Sequence, residues 1–132
     1  MPKKYGLSRS EKLKSVVRTE KLFTKGKSFR VFPFSVYFRL SADGELTQNQ
    51  FLVSVGKHYF KHAVDRNRMK RLVREAYRKN KLPLYEKAKE KNVFFNLGFV
   101  YRLNVLSDYK TVETAVKNAL QILSEKIEAF NA

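Results

Sequence analysis

Several features that would define a class of protein are missing from this chain of 132 residues. It has no cysteine, which excludes a disulfide framework and a thiolate metal site and fits a reducing compartment. No apolar run approaches the roughly 20 residues of a membrane-spanning helix. The basic start Met-Pro-Lys-Lys-Tyr-Gly has no apolar segment behind it, so no signal peptide is visible. We therefore expect a cytoplasmic protein with no membrane partner.

Acidic residues are scarce, and the basic residues that outnumber them are unevenly placed. The chain has 28 Lys and Arg against 12 Asp and Glu, a net charge of +16. Residues 57–81 hold ten basic and two acidic side chains, whereas residues 82–132 hold seven and six. An excess confined to the first two thirds favours a surface for a polyanion over general solubility.

Catalytic motifs are also missing. There is no glycine-rich phosphate loop, no nucleophile elbow and no pair of carboxylates, and nothing suggests a small-molecule substrate. His58 and His62, four residues apart, could act as acid and base in a metal-free ribonuclease or as half of a zinc site. No H-E-x-x-H arrangement and no third ligand accompany them. The pattern therefore predicts neither catalytic nor metal-binding residues in this chain.

The length and an apolar content of 43% predict one folded domain. Residues 1–12 are polar and basic and are expected to form a flexible arm, with a single α+β domain over 13–132. Periodicity predicts helices over 16–25, 63–81 and 107–130, strands over 28–40, 49–56 and 92–104, and a charged connector over 85–91. The predicted fold is a small mixed sheet with helices packed on one face and a split β-α-β unit.

Local signals mark the ends of the predicted helices. Ser15 is the expected N-cap of the first helix, and Gly26 is expected to end it in a left-handed conformation. Asp65 is the expected cap of the basic helix, and Ser107 or Asp108 that of the last.

The basic helix is the strongest functional signal. Met69, Leu72, Val73 and Ala76 repeat at helical spacing and predict one buried face. Most other positions are cations in like-charged i, i+4 register, whose repulsion an anionic partner would relieve. The predicted RNA-binding residues are Arg66, Asn67, Arg68, Lys70, Arg71, Arg74 and Arg78, with Lys57 and Lys61 in the preceding turn.

A second candidate surface lies on the less covered face of the sheet. Tyr37 alternates with the core positions of its strand, and Phe23 and Phe34 lie near it in sequence. Stacking an unpaired base on such rings is worth about 1–3 kcal/mol. Arg39 and Arg102 are predicted to share this face.

The segment Ala-Val-x-Arg-Asn-Arg-x-Lys-Arg-Leu-x-Arg-Glu at 63–75 closely resembles the signature helix of the bacterial ribonuclease P protein subunit. Leu22-Phe23-x-x-Gly26, Phe34-x-Val36-Tyr37 and Ser54-Val55 followed by Lys57 are similar to other parts of that family. Two positions depart from its pattern. Thr19 stands where the family usually has an aromatic residue, and the turn over 58–62 is longer and lacks a glycine.

The resemblance implies an α-β-β-β-α-β-α order with a left-handed β-α-β crossover, similar to the second domain of ribosomal protein S5. It implies a small basic subunit of ribonuclease P, an endoribonuclease that removes the 5′ leader from precursor tRNA. The catalytic Mg²⁺ would be held by the ribonuclease P RNA. The basic helix would face that RNA, and a cleft would bind the leader of precursor tRNA. The implied cleft residues are Thr19, Phe23, Phe34, Tyr37 and Arg39.

Three other functions stay open from the residues alone. A ribosomal-type protein could dock the same helix on structured RNA, and an autonomous endoribonuclease could use His58 and His62. A helix-turn-helix DNA regulator fits less well, because strands precede the basic helix.

Overall fold

The computed structural model describes residues 6–130, which form four helices and four strands after a short 3-10 turn at Arg9–Glu11. In chain order these are α1 (Val16–Lys25), β1 (Lys27–Val31), β2 (Phe34–Ser41), β3 (Gln50–Val55), α2 (Ala63–Asn80), α3 (Leu82–Glu90), β4 (Phe94–Tyr101) and α4 (Tyr109–Glu128). Within residues 6–130, no helix has the length and apolarity needed to cross a membrane.

The four strands form one mixed sheet in the order β1-β2-β4-β3. β2 pairs antiparallel with both β1 and β4, and β3 pairs parallel with β4. The crossover from β3 through α2 and α3 therefore joins neighbouring strands, and the prediction of a split unit is wrong. A split unit would have another strand between β3 and β4, whereas here the two strands pair directly. The left-handed sense of the crossover stays a prediction.

The two faces of the sheet carry different side chains. Val36, Phe99 and Val53 lie in register on the face that α2, α3 and α4 cover, as the sequence predicted. Tyr37, Gly98 and Leu52 lie in register on the opposite face. There α1 packs on the sheet, so the prediction that the helices lie on one face is wrong for this helix. Its buried Leu22 lies so close to Gly98 that a Cβ added to Gly98 would be 3.0 Å from the Leu22 side chain.

The single strand predicted over 28–40 is a hairpin. β1 turns at Phe32-Pro33, a cis peptide, and β2 begins at once with Phe34 opposite Val31. A two-residue turn returns the chain without breaking the period-two alternation, so periodicity alone did not reveal it. The signal was Pro33, which cannot donate to a strand ladder.

The connector predicted over 85–91 is the helix α3. Pro83 lies in its first turn, where a backbone N–H has no partner within a helix and its loss costs nothing. Leu84 and Ala88 are spaced i, i+4 and are both buried in the core. Pro83 therefore separates two helices, and the charged residues around these two positions hid the short apolar stripe.

The predicted caps of the first and last helices are confirmed. The Ser15 hydroxyl accepts a hydrogen bond from the Arg18 amide at 3.3 Å. Asp108 accepts one from the Thr111 amide at 2.8 Å. Hydrogen bonds from the side chain of Thr111 and from this amide hold the pKa of the Asp108 carboxyl below its usual value. Ser107 instead lies 2.7 Å from the Tyr101 hydroxyl.

Two predicted helix signals are wrong in detail. α2 starts after His62, and Asp65 lies inside the first turn, where its charge still favours the helix dipole. Gly26 has φ −75° and ψ 166°, which is extended and not left-handed. A Cβ at Gly26 would lie 2.3 Å from the Leu22 carbonyl oxygen and 2.9 Å from that of Phe38. Glycine is needed here for the close approach of α1 to β2.

Part of the segment expected as a flexible arm lies against the domain. The Leu13 amide donates to the Phe51 carbonyl at 2.9 Å, and Lys12 forms a parallel bridge with Phe51. Glu11 forms an ion pair with Lys81 at 2.5 Å and accepts a hydrogen bond from the Tyr85 hydroxyl at 2.6 Å. The contacts of residues 6–12 thus belong to the domain, and residues 1–5 lie outside the described residues. Where the flexible part ends stays a prediction.

The approach of Gly26 to two carbonyl oxygens predicts a stability difference between two glycines. Gly26→Ala should lower the free energy of unfolding by about 1–3 kcal/mol, because backbone has to move to admit the methyl group. Gly98→Ala should cost less, because the flexible end of the Leu22 side chain can give way. Urea unfolding followed by circular dichroism measures both values. Equal losses would contradict the backbone contact as the cause.

Candidate nucleic-acid interface

One stripe of α2 points directly away from the core. Met69, Val73, Ala76 and Tyr77 are buried against the sheet and α4. At 100° per residue, the positions opposite them form a single row along the helix. That row is Asn67, Arg71, Arg74 and Arg78, with Arg68 and Lys70 on its two flanks. The fold therefore turns the predicted basic residues outward as one surface, which we call the α2 stripe.

The cations of the α2 stripe differ in their partners. Arg78 donates to Glu75 at 2.5 Å, and Lys79 lies 3.5 Å from the same carboxylate. The hydrogen bond from Arg78 lowers the pKa of Glu75. Among the described residues, Arg71 and Arg74 have no hydrogen bond or ion pair, and the same holds for Arg68 and Lys70. Four cations on one exposed surface are thus left to attract an anion from outside the chain.

The α2 stripe borders a groove. Its volume is about 340 Å³. The lining residues are Leu7, Asn67, Arg71, Arg74, Glu75 and Arg78. Among the described residues that line the groove, Leu7 alone lies outside α2, so the N-terminal segment runs beside the helix at this point. The predicted phosphate-binding face is therefore walled on one side.

Arg66 has a structural contact that the sequence did not indicate. Its guanidinium donates to the backbone carbonyls of Phe60 at 2.8 Å and Lys61 at 3.0 Å. Arg66 is half-buried. Both hydrogen bonds come from the same guanidinium nitrogen and stabilise the turn before α2. Lys57 and the Lys61 side chain are exposed in that turn. Contacts of these residues with RNA stay predictions.

The two histidines lie in the same turn and at the start of α2. The His58 ring packs on Tyr59 with 4.0 Å between ring centroids, and His62 is the residue before the helix. Both are exposed. Over residues 6–130 the structure holds no group of three His, Cys, Asp or Glu side chains placed to bind a metal ion.

The opposite face of the sheet carries aromatic rings beside α1. Phe23 meets Tyr37 edge-on with 4.9 Å between ring centroids, and Phe23 is 37% exposed. Thr19, one helical turn earlier, is half-buried. The Arg102 guanidinium donates to the Ser35 hydroxyl at 3.1 Å and to the Tyr37 hydroxyl at 3.3 Å. The structure thus brings the predicted pair Phe23 and Tyr37 together and places Arg102 beside Tyr37, on the face where it was predicted.

An open cleft of about 380 Å³ starts at Tyr37 and continues to the tip of the hairpin. Its lining residues are Ser28, Phe29, Arg30, Phe32, Pro33, Phe34, Ser35, Tyr37, Arg102 and Leu103. Sequence reasoning missed Arg30 and Ser35 as cleft residues. Recognising the hairpin would have supplied both, because Arg30 and Ser35 are directly opposite each other in its register. Phe32, at the tip, is 76% exposed.

Two predicted cleft residues have side chains that are engaged away from the cleft, although Phe34 also borders it. Phe34 is only 2% exposed and packs edge-on against Phe99 and Tyr101, at 5.5 and 5.6 Å between ring centroids, so its ring belongs to the core. Arg39 forms an ion pair with Glu45 at 2.5 Å. The alternation of β2 puts Phe34 on the core face. Arg39 pairs with an acid in the turn after β2, and periodicity does not reveal such a contact.

On one side of a small mixed sheet, the guanidinium groups of Arg68, Arg71 and Arg74 point outward and have no hydrogen-bond or ion-pair partner among the described residues. An aromatic cleft with cations lies on the other side. Together these surfaces define a nucleic-acid-binding α+β protein. Comparison with known proteins makes the class specific. The family model of ribonuclease P matches residues 7–124, and the chain belongs to the ribonuclease P protein family.

Relatives and solved structures agree with this assignment. The ribonuclease P protein component of Porphyromonas gingivalis W83 is 40% identical over 119 residues, which cover 90% of this chain and 87% of that protein. That of Borrelia turicatae is 30% identical over 121 residues, covering 90% and 97%. The ribonuclease P protein from Thermotoga maritima has the same fold, with a TM-score of 0.64 at 24% identity over 85% of this chain and 96% of that one.

Family membership confirms the expected general function. The chain is the protein component of ribonuclease P, a ribonucleoprotein endoribonuclease of tRNA 5′ maturation, and its partner is the ribonuclease P RNA. Membership of this family therefore argues against the alternative of a ribosomal-type RNA-binding protein. β3 and a turn precede α2, so the described residues also lack the first helix of a helix-turn-helix motif.

The contacts of Arg66 predict that two neighbouring arginines affect stability differently. Arg66→Ala should lower the free energy of unfolding by about 1–3 kcal/mol, because two backbone carbonyls lose a charged donor. Arg68→Ala, which removes the same charge from an exposed site, should change it by less than about 0.5 kcal/mol. Urea unfolding of both variants tests this, and losses of the same size would refute a structural role for Arg66.

Proposed function

We propose that the α2 stripe binds the ribonuclease P RNA and that the cleft binds the 5′ leader of precursor tRNA. The observation that carries this proposal is the separation of two different surfaces by the sheet. Unpaired cations lie on α2, which packs on the core face, and the aromatic cleft lies on the other face. One small protein can therefore hold two RNA segments at once.

The α2 stripe suits the backbone of folded RNA. Arg71 and Arg74 present planar guanidinium groups that match a phosphate with two parallel hydrogen bonds. Asn67, one turn before Arg71, offers an amide to a 2′-hydroxyl or a base edge. Contacts of this kind are electrostatic and release counterions, so affinity for the RNA should fall steeply as salt rises.

The cleft suits a single strand. Tyr37 and the exposed Phe32 offer ring faces for unpaired bases, and Arg30 and Arg102 supply charge for the backbone between them. The hydroxyls of Ser35 and Tyr37 hold the Arg102 guanidinium in place. Stacking and phosphate contact depend little on base identity, which would let one cleft accept leaders of many sequences.

We place the catalytic Mg²⁺ with the RNA. The contribution of this chain is then charge: a protein of +16 screens the repulsion between two RNA molecules and so lowers the Mg²⁺ that their association needs. The setting we propose is the cytoplasm.

Reconstitution tests the proposed function. The protein is added to ribonuclease P RNA, and cleavage of the 5′ leader from precursor tRNA is followed as Mg²⁺ is varied. We expect the protein to shift half-maximal cleavage to lower Mg²⁺, because its cations replace part of the screening that the metal provides. The matched control is protein without the RNA, which also tests the alternative of an autonomous nuclease. No shift, or cleavage by the protein alone that a His58→Ala, His62→Ala variant abolishes, would contradict the proposal.

The cleft yields a separate prediction about substrate choice. Tyr37→Ala should weaken binding of precursor tRNA to the holoenzyme by about 1–3 kcal/mol, because a base loses its stacking surface. Binding of mature tRNA, which has no leader, should be unchanged. Phe94→Ala is the matched control, since it removes an exposed ring at the start of β4, outside the cleft. If Tyr37→Ala weakened both tRNAs alike, the cleft would not be the leader site.

A further inference from the structure

A buried ion pair ties the N-terminal segment to the end of α2. Lys81 directly follows α2 and is only 3% exposed. Its ammonium donates to the Glu11 carboxylate at 2.5 Å and to the backbone carbonyl of Gly6. The Tyr85 hydroxyl donates to the same Glu11 oxygen at 2.6 Å. We call Glu11, Lys81 and Tyr85 the latch.

The latch is anchored in the core. The Tyr85 hydroxyl lies 3.0 Å from that of Tyr77, which is fully buried in α2 and stacks on Phe51 of β3 with 3.9 Å between ring centroids. The hydrogen-bonded chain therefore runs from the N-terminal segment through α3 to α2. A movement of Glu11 would therefore disturb the hydrogen bonds of two buried side chains, Lys81 and Tyr77.

The latch also shapes the segment in front of it. The second oxygen of Glu11 accepts hydrogen bonds from the Ser8 amide at 2.9 Å and the Ser8 hydroxyl at 3.0 Å. These bonds close the turn at Arg9–Glu11 and fix the chain direction just after Leu7. Leu7 is the residue that lines the groove beside Arg71 and Arg74.

We infer that Glu11 and Lys81 are positioning residues for RNA binding, which hold residues 6–11 as one wall of the groove in which an RNA backbone lies against Arg71 and Arg74. This inference rests on the proposed function, because it assumes that RNA binds the α2 stripe. It adds residues that carry opposite charges, lie outside the α2 stripe and need not touch the RNA.

The wall strengthens the groove in two ways. It replaces water on one side of Arg71 and Arg74, and a charge pair gains strength as its surroundings become less polar. The wall also adds little repulsion toward the RNA phosphates, because Lys81 neutralises the negative charge of Glu11. Burial raises the pKa of Glu11, but the hydrogen bonds from Lys81 and Tyr85 outweigh it and lower that pKa overall, so the Glu11 carboxyl is ionised at neutral pH.

Two substitutions with opposite charge effects test the inference. Glu11→Gln raises the net charge by one and Lys81→Met lowers it by one. Each has a matched control at the exposed ion pair between α3 and α4, where Lys87 lies 2.8 Å from Glu128. Those controls are Glu128→Gln and Lys87→Met. Affinity of each full-length protein for ribonuclease P RNA is measured over a range of salt concentrations.

Net charge and positioning predict different results. If charge alone matters, Glu11→Gln binds RNA more tightly, as Glu128→Gln does. If the latch positions the wall, both latch substitutions weaken binding roughly tenfold. They also make the fall of log affinity with log salt less steep by about 1, which corresponds to the loss of one phosphate contact. Hydrogen exchange of the amides of residues 8–12 should rise in the latch variants only.

Folding is checked by thermal unfolding, and binding is compared below the unfolding transition of each variant. Latch variants that follow net charge as their controls do, or that bind weakly with unchanged exchange at 8–12, would overturn the inference. Arg71→Ala with Arg74→Ala separates it from the proposed function. If the Arg71→Ala, Arg74→Ala variant keeps its affinity, RNA does not bind the α2 stripe and the proposed function is contradicted. If that variant binds weakly while the latch variants bind normally, the proposed function is supported and the inference about the latch is contradicted.

Discussion

The position of β4 between β2 and β3 is the constraint on which the rest of the structure depends. Phe95, Leu97, Phe99 and Tyr101 point from β4 into the core and are fully buried. Because β3 and β4 are parallel, the chain between them has to cross from one end of the sheet to the other. α2 and α3 make that crossing and bury their apolar stripes on the core face, which leaves the α2 stripe facing outward. On the other face, Gly98 of β4 provides the space that seats α1 and brings Phe23 to Tyr37.

The few acidic residues are placed so that they neutralise some cations and not others. Glu45, Glu75 and Glu128 hold Arg39, Arg78 and Lys87, each at the edge of a groove or between elements. Glu11 neutralises Lys81, which the core could not accept unpaired. No described acid forms an ion pair or hydrogen bond with Arg71 or Arg74. The helix therefore carries a repulsion that lowers its own stability and that a phosphate backbone would relieve.

Signals that act within one turn of chain were enough to predict much of the fold. Ser15 and Asp108 cap their helices through bonds to amides three residues away, and the apolar stripes of α2 and α4 follow from helical spacing alone. Contacts that reach beyond one helical turn escaped prediction. Gly26 lies against a carbonyl oxygen of β2, and the Arg66 guanidinium donates a hydrogen bond to the turn before α2. The apolar pair Leu84 and Ala88 was too short to reveal α3 without the core it fills.

The sequence by itself determined which chemistry this protein has. The cationic α2 stripe, the alternation that separates Tyr37 from the core, and the motif at 63–75 all follow from residue type and local period, because helix and strand geometry are fixed by the backbone. Tertiary structure decided which of those residues are available. Packing and strand pairing buried Phe34, added Arg30 and Ser35 to the cleft, and joined Glu11 to Lys81 across 70 residues. Such contacts depend on how elements pack, and packing is a property of the whole chain.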